Sequence, residues 1–202
     1  MHLVILAAGK SSRFKKKNFN KCLVKLNKQT LIERIINGGL KQKLKIDIVT
    51  GYNSSILKKK LEKYDLNYIY NKNFKKYEMF HSVICALKKI DDNVLFSYSD
   101  IIYDTSIFKK FKDKKNISLP YLSKWKKIWK NRNKNIFEDA ETFISKNRRL
   151  IEIGKKINTK NLNHINGQFM GIFYIPKKQK KIILENYKKN KYYKKKQTTF
   201  IL

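Results

Sequence analysis

Apolar and polar residues follow two rhythms along this chain, and the rhythms take turns. Short apolar runs predict buried strands at Leu3–Leu6, Ile46–Thr50, Leu66–Tyr70, Val94–Tyr98 and Ile117–Leu119. Between them, apolar residues recur near the i, i+3, i+4 spacing and predict helices at Thr30–Leu40, Ser54–Tyr64, Met79–Ile90 and Thr105–Phe111. Leu31, Ile32, Ile35, Ile36 and Leu40 form one such stripe, and Gly38-Gly39 and Gly51 punctuate the series. Strands alternating with amphipathic helices imply an α/β fold with a mostly parallel central sheet.

The rhythm changes after residue 120. Residues 121–136 are rich in Lys, Asn and Trp and predict a loop or short helix covering the sheet. Strand-like runs follow at Glu141–Ile144, Leu150–Ile153 and Gln168–Tyr174, and Pro176 opens a last helix reaching Tyr187. Lysine-dense Lys188–Lys196 breaks the apolar pattern. With no internal repeat and no clear linker, 202 residues suit a single domain.

Composition narrows the function classes. No apolar run approaches the roughly 20 residues that span a bilayer. The start, Met-His-Leu-Val-Ile-Leu, lacks a basic region ahead of its apolar run and reads as a core strand, not a signal peptide. Cys22 and Cys85 have neither metal nor redox spacing and fit a reduced, cytoplasmic protein. The formal net charge of +33 invites a nucleic-acid reading. Yet of 48 basic residues five are arginine (Arg13, Arg34, Arg132, Arg148, Arg149), and arginine is the better fork for phosphates and base edges. The lysines scatter along the whole chain among Asn and Ile, the bias an AT-rich genome imposes on tolerant surfaces. Specific nucleic-acid binding is therefore not expected, whereas attraction of small anions is.

Chemistry concentrates at the predicted strand ends. The first strand empties into Ala7-Ala8-Gly9 and then into basic Lys10 and Arg13. A small, glycine-containing, basic loop brings backbone N–H groups and positive charge to phosphates. A plain tight turn is the alternative. A P-loop is excluded, because the position needing its first glycine is Val4, inside the strand. The fourth strand ends at Ser99-Asp100, and a carboxylate facing a phosphate loop suits Mg²⁺ on a nucleotide, a turn or capping aspartate being the competing role.

These residues resemble a known superfamily. Leu6-Ala-Ala-Gly-Lys-Ser-Ser-Arg13 with Asn20-Lys21-Cys-Leu23 is similar to the N-terminal signature of nucleotidyltransferases that make nucleoside-diphosphate sugars and alcohols, with Asn20 where that pattern has proline. Asn71, Tyr77, His81-Ser82, Ser99-Asp100, Glu138-Asp-Ala-Glu141, Ile153-Gly-Lys155 and Gly167-Gln-Phe-Met-Gly171 resemble the phosphocholine and aminoethylphosphonate cytidylyltransferase branch. Molybdopterin guanylyltransferases start similarly but usually carry a second glycine where Ala8 stands.

The resemblance implies a Rossmann-like three-layer nucleotidyltransferase fold and a Mg²⁺-dependent transfer of a nucleotide, CMP from CTP, to a small phosphorylated alcohol or phosphonate. Sugar-1-phosphate transfer and an inactive nucleotide-binding homologue are the alternatives. Nucleotide contacts would come from Leu6, Ala7, Ala8, Gly9, Lys10, Ser11, Ser12, Arg13, Lys21 and Ser82. Arg13 and Lys21 would bind the triphosphate, Asp100 would hold Mg²⁺, and Lys155 would meet the acceptor's phosphate.

Acceptor recognition is expected from Trp125, Asp139 and Glu141, since an aromatic face beside a carboxylate can hold a quaternary ammonium. Packing of Trp125 and Trp129 onto the domain is the competing expectation. Relatives carry a further acidic residue beyond the point where this chain reaches Thr199-Phe-Ile-Leu202; a shortened chain, Asp104 as substitute, or an incomplete metal site are the expectations there. The partners implied are a nucleoside triphosphate and a phosphorylated acceptor, without membrane insertion and with homo-oligomerisation left open.

Overall fold

A strand covered on both faces needs apolar residues at every position, not at every second one. The first strand, β1 (His2–Ala7), meets that demand, with Leu3, Val4 and Ile5 fully buried. In the computed structural model, which describes residues 1–10, 19–132, 140–158 and 162–189, β1 is the middle strand of a five-stranded sheet. A hairpin of β2 (Lys25–Leu26) and β3 (Gln29–Thr30) follows, then α1 (Leu31–Lys41), β4 (Lys45–Thr50), α2 (Ser54–Lys60), β5 (Asn67–Tyr70), α3 (Met79–Lys89) and β6 (Val94–Tyr98). Next come β7 (Tyr121–Leu122), α4 (Trp125–Arg132), β8 (Glu141–Lys146), β9 (Arg149–Lys156), β10 (Gln168–Phe169), β11 (Ile172–Ile175) and α5 (Lys180–Lys189).

The chain forms two compact units, Met1–Ser118 with the segment from Phe173, and Leu119–Ile172. In the first unit the sheet order is β11-β6-β1-β4-β5. β1 runs parallel to β4 and to β6, and β4 runs parallel to β5. The chain therefore steps from β1 to β4 and β5 on one side, then crosses to β6 on the other. Right-handed crossovers put α3 on the face opposite α1 and α2, which makes the layered α/β fold that the sequence pattern predicts. No helix among the described residues is long and apolar enough to cross a membrane.

Local chemistry starts and seats α1. Thr30 Oγ1 accepts the Glu33 N–H at 3.3 Å while Glu33 Oε2 accepts the Thr30 N–H at 2.9 Å, a capping box. Ile32, Ile35 and Ile36 then face the core. The two helical glycines serve close approach: a Cβ on Gly38 would stand 2.3 Å from Thr105 Cγ2, and one on Gly39 would stand 2.6 Å from Ile46 Cδ1.

Three segments depart from the sequence pattern. Thr105–Phe111 is a 3-10 turn and not an α-helix; Phe108 and Phe111, three apart, are both buried on one side of it, and the Asp104 carboxylate caps its start. The run Ile117–Leu119 shrinks to one antiparallel bridge, Ser118 with Tyr174. The single strand expected over Gln168–Tyr174 is broken where Gly171 turns at φ 71°, so β10 and β11 join different sheets.

The second unit has its own small core. Trp125, Ala140, Ile157 and Ile165 are buried together, with Leu122, Trp129 and Leu162 packed against them. β8 and β9 form its antiparallel hairpin, and β7 pairs β10.

Candidate active site

An open parallel sheet binds ligands outside the carboxyl ends of its strands, at the point where strand order reverses. Here that point lies between β1 and β6. β1 ends in buried Leu6 and Ala7 and is followed by buried Ala8 and then exposed Gly9 and Lys10. Among the described residues a Cβ on Gly9 would meet no atom within 4 Å, and its φ lies outside the left-handed range. Neither packing against the described residues nor backbone conformation calls for glycine at this position. Ser11, Ser12 and Arg13 lie outside the described residues.

Neighbouring strand ends are stitched to this loop. The Tyr52 N–H donates to the Ala8 carbonyl at 3.1 Å. A Cβ on Gly51 would stand 2.8 Å from that carbonyl and 2.6 Å from Phe74 Cβ, so glycine here permits the close approach of the loops after β1 and β4.

Across the switch point, Asp100 follows β6. Lys21 Nζ lies 2.9 Å from Asp100 Oδ2, both groups partly open to solvent at 49% and 31%. Lys21 rides on a 3-10 turn, Lys21–Leu23, whose middle residue is buried Cys22. Burial, then the Asp100 charge, pushes that thiol up to about 12, so it stays protonated and is no nucleophile. Asp104, the sequence's substitute ligand, spends a carboxylate oxygen capping the Ser106 N–H at 2.8 Å. The described residues hold no group of three or more His, Cys, Asp or Glu side chains able to bind a metal. Asp100 thus offers one hard oxygen donor, which matches Mg²⁺ carried on a triphosphate; it does not match an all-protein cage.

Ser82, in the first turn of α3, is 4% exposed, and its Oγ accepts a hydrogen bond from Asn71 Nδ2 at 3.0 Å. Asn71 Oδ1 accepts the Asn73 N–H at 3.0 Å, and the Asn71 N–H donates to the Thr50 carbonyl at 2.8 Å. The Asn71 and Ser82 motif residues thus lock the loop after β5 to β4 and α3. His81 bonds through Nδ1 to the Tyr187 hydroxyl at 2.5 Å; burial, and secondarily Lys88, keeps its pKa below the usual value.

In the second unit, strand register explains how Lys155 is presented. Glu141 pairs Lys156 and Phe143 pairs Ile153, so Thr142 opposes two residues, Gly154 and Lys155. Gly154 takes φ 83° in this bulge, and buried Thr142 Oγ1 accepts the Lys155 N–H at 3.1 Å. The Lys155 ammonium pairs with the Glu152 carboxylate. Glu141 is exposed at the start of β8, its backbone clamped by Gln168: its N–H donates to Oε1 at 3.1 Å and its carbonyl accepts from Nε2 at 2.5 Å.

Trp125 requires a correction. It is 1% exposed, with its ring edge-on to Trp129 at 6.2 Å, and so fills the core of the second unit and shows no face to a ligand. Asp139 lies outside the described residues. Sequence reasoning also missed Gly51, Thr142 and the Asn20 side chain as positioning elements; only the register and loop contacts mark them.

A cavity of about 430 Å³ opens at the opposite, amino edge of the sheet, lined among others by His2, Lys45, Asp47, Lys89 and Asp92. Within it His2 Nδ1 lies 2.5 Å from Asp47 Oδ2, and the Met1 amine pairs with Asp92 at 2.8 Å. Asp100, Lys21 and exposed Gly9 lie at the carboxyl edge instead.

Several known proteins are similar to this chain. CTP:phosphoglutamine cytidylyltransferase of Campylobacter jejuni is 33% identical over 187 residues, covering 86% of this chain and 72% of that protein. The CTP:phosphocholine cytidylyltransferase of Streptococcus pneumoniae superposes with a TM-score of 0.67 at 17% identity, over 95% of this chain and 77% of that one. The inositol-1-phosphate CTP transferase of T. maritima superposes at 0.68 with 18% identity, over 90% and 72%. Both likenesses show the shared Rossmann-like fold. The sequence profile of the MobA-like NTP transferase domain matches residues 3–115, which takes in β1, Lys21 and Asp100, and the chain belongs to that nucleotidyltransferase family.

Proposed function

We propose that this protein is a cytidylyltransferase that moves CMP from CTP onto a small phosphorylated acceptor and releases pyrophosphate. The observation that carries the reading is the Lys21–Asp100 pair at the switch point of the sheet, beside a loop that ends in exposed Gly9. An acceptor phosphate oxygen attacks the α-phosphorus in line; the bond from that phosphorus to the β-bridging oxygen breaks, and pyrophosphate leaves with its electrons. The protein's work is positioning and charge neutralisation.

Ala7, Ala8 and Gly9 form the surface on which base and ribose lie, and Ser82, bonded to Asn71, anchors the loop after β5. Lys10, Ser11, Ser12 and Arg13 belong to the same phosphate-binding segment. Asp100 would hold Mg²⁺ with the triphosphate's oxygens and water completing the shell, and the ion would supply Lewis-acid neutralisation of the developing charge. The Lys21 ammonium, three donors on a flexible stem, turns from Asp100 to the triphosphate. Lys155 meets the acceptor's phosphate and Glu141 an amino group on the acceptor.

Burial of Trp125 withdraws the cation–π argument for a quaternary ammonium. The name of the Campylobacter relative then makes phosphoglutamine the first acceptor to assay. Pyrophosphate release is measured with CTP, UTP, GTP, ATP and dTTP against phosphoglutamine, phosphocholine, 2-aminoethylphosphonate and glucose 1-phosphate. Turnover confined to CTP supports the reading, and turnover with UTP or dTTP and the sugar phosphate replaces it with sugar activation. A folded protein silent with every pair overturns the enzyme reading. Asp100→Asn is expected to lower turnover by about 10²-fold or more with an unchanged melting temperature; near-normal turnover would remove Asp100 from the site.

A further inference from the structure

We propose that Asn20 is a positioning residue that fixes the Lys21 turn to the nucleotide loop, an inference that rests on the cytidylyltransferase reading. Asn20 is 2% exposed, although it adjoins Lys21 on an open edge of the site. Its Nδ2 donates to the Tyr52 carbonyl at 3.1 Å, and the Tyr52 N–H donates to the Ala8 carbonyl at 3.1 Å. Its own carbonyl accepts the Leu23 N–H at 2.9 Å and closes the turn that carries Lys21. Lys21 then reaches Asp100. One connected path thus joins the carboxyl ends of β1, β4 and β6 through a single amide side chain.

The other half of that amide argues against a packing role. Asn20 Oδ1 is buried and has no hydrogen-bond partner among the described residues. An unmatched buried acceptor is unfavourable, and an apolar residue of similar size would avoid it. What the asparagine supplies that an apolar residue lacks is the N–H donor to Tyr52. Proline, the residue of the resembling pattern, lacks a donor, and the observed φ of −92° lies outside the −65 ± 15° to which its ring is held. The cross-link therefore belongs to this chain's own way of aiming Lys21.

The test is a double-mutant cycle of Asn20→Ala with Lys21→Ala. It is read as kcat/KM for CTP in pyrophosphate release with an acceptor the wild type uses, as CTP affinity by titration calorimetry, and as melting temperature. A positioning role acts through Lys21. Asn20→Ala alone then lowers kcat/KM by roughly 10- to 100-fold, and the double variant is no worse than Lys21→Ala. Asn20→Leu, of similar size and without a donor, should be as poor as Asn20→Ala, and it replaces Asn20→Ala in the cycle should the latter fail to fold. Losses that multiply in the double variant, or full activity in Asn20→Ala beside an active wild type, overturn the assignment alone. A folded wild type inert with every nucleotide overturns the cytidylyltransferase reading and this inference with it.

Discussion

Gly9 gives the residue scale its clearest case, because nothing among the described residues requires it. A Cβ there would meet none of them within 4 Å, and the backbone is ordinary. Gly9→Ala should therefore leave the melting temperature unchanged while CTP affinity falls roughly tenfold or more, as the added methyl meets the nucleotide. Unchanged affinity in calorimetric titration would separate Gly9 from the site. Gly51 is the contrast: its Cβ would meet the Ala8 carbonyl, so its role is loop packing. In the sequence the two glycines look alike. Asp100 and Lys21 were legible as candidates from strand-end placement and the resembling motif, but their 2.9 Å pairing was not, since 79 residues of chain separate them. Trp125 reads equally well as ligand face or core until its burial is known.

At the scale of elements, local chemistry was readable wherever short-range hydrogen bonds decide. Thr30 and Glu33 spell a capping box, and α1 begins there. Burial pushes the Glu33 carboxyl up, but hydrogen bonds from Lys63 and Thr30 outweigh it and bring it from the usual 4.5 down to about 2. The folded state thus prefers the ionised form more than the unfolded chain does. The stabilisation is complete above pH 4.5 and is lost as pH falls through about 2. Thr30→Ala should cost about 1 kcal/mol near neutral pH and flatten the decline of stability across that acid range, both read by denaturant melts. Elements set by long-range partners were less legible. The β8–β9 turn places Asn147 and Arg148 at φ 49° and 61°, a two-residue hairpin without the usual glycine. The bulge that presents Lys155 follows from register, which appears once two strands are paired.

For the whole molecule, charge is the controlling property. A net charge of +33 repels itself and attracts triphosphates, and both effects weaken once the Debye length falls to about 10 Å near 0.1 M salt. Raising sodium chloride from low to near-physiological concentration should therefore raise the melting temperature while lowering kcat/KM for CTP severalfold. A kcat/KM insensitive to salt would show that the scattered lysines do not steer substrate.

Sequence alone determined the alternation of strands and helices, the buried central strand and the basic loop at its end, because neighbours a few residues apart decide those features. Tertiary structure decided which strand ends meet. Sheet order brings β1 beside β6, Gly171 sends β10 and β11 to different sheets, and the Trp125 ring goes to a core. Each depends on contacts between residues far apart in the chain, whose pairing no local pattern specifies.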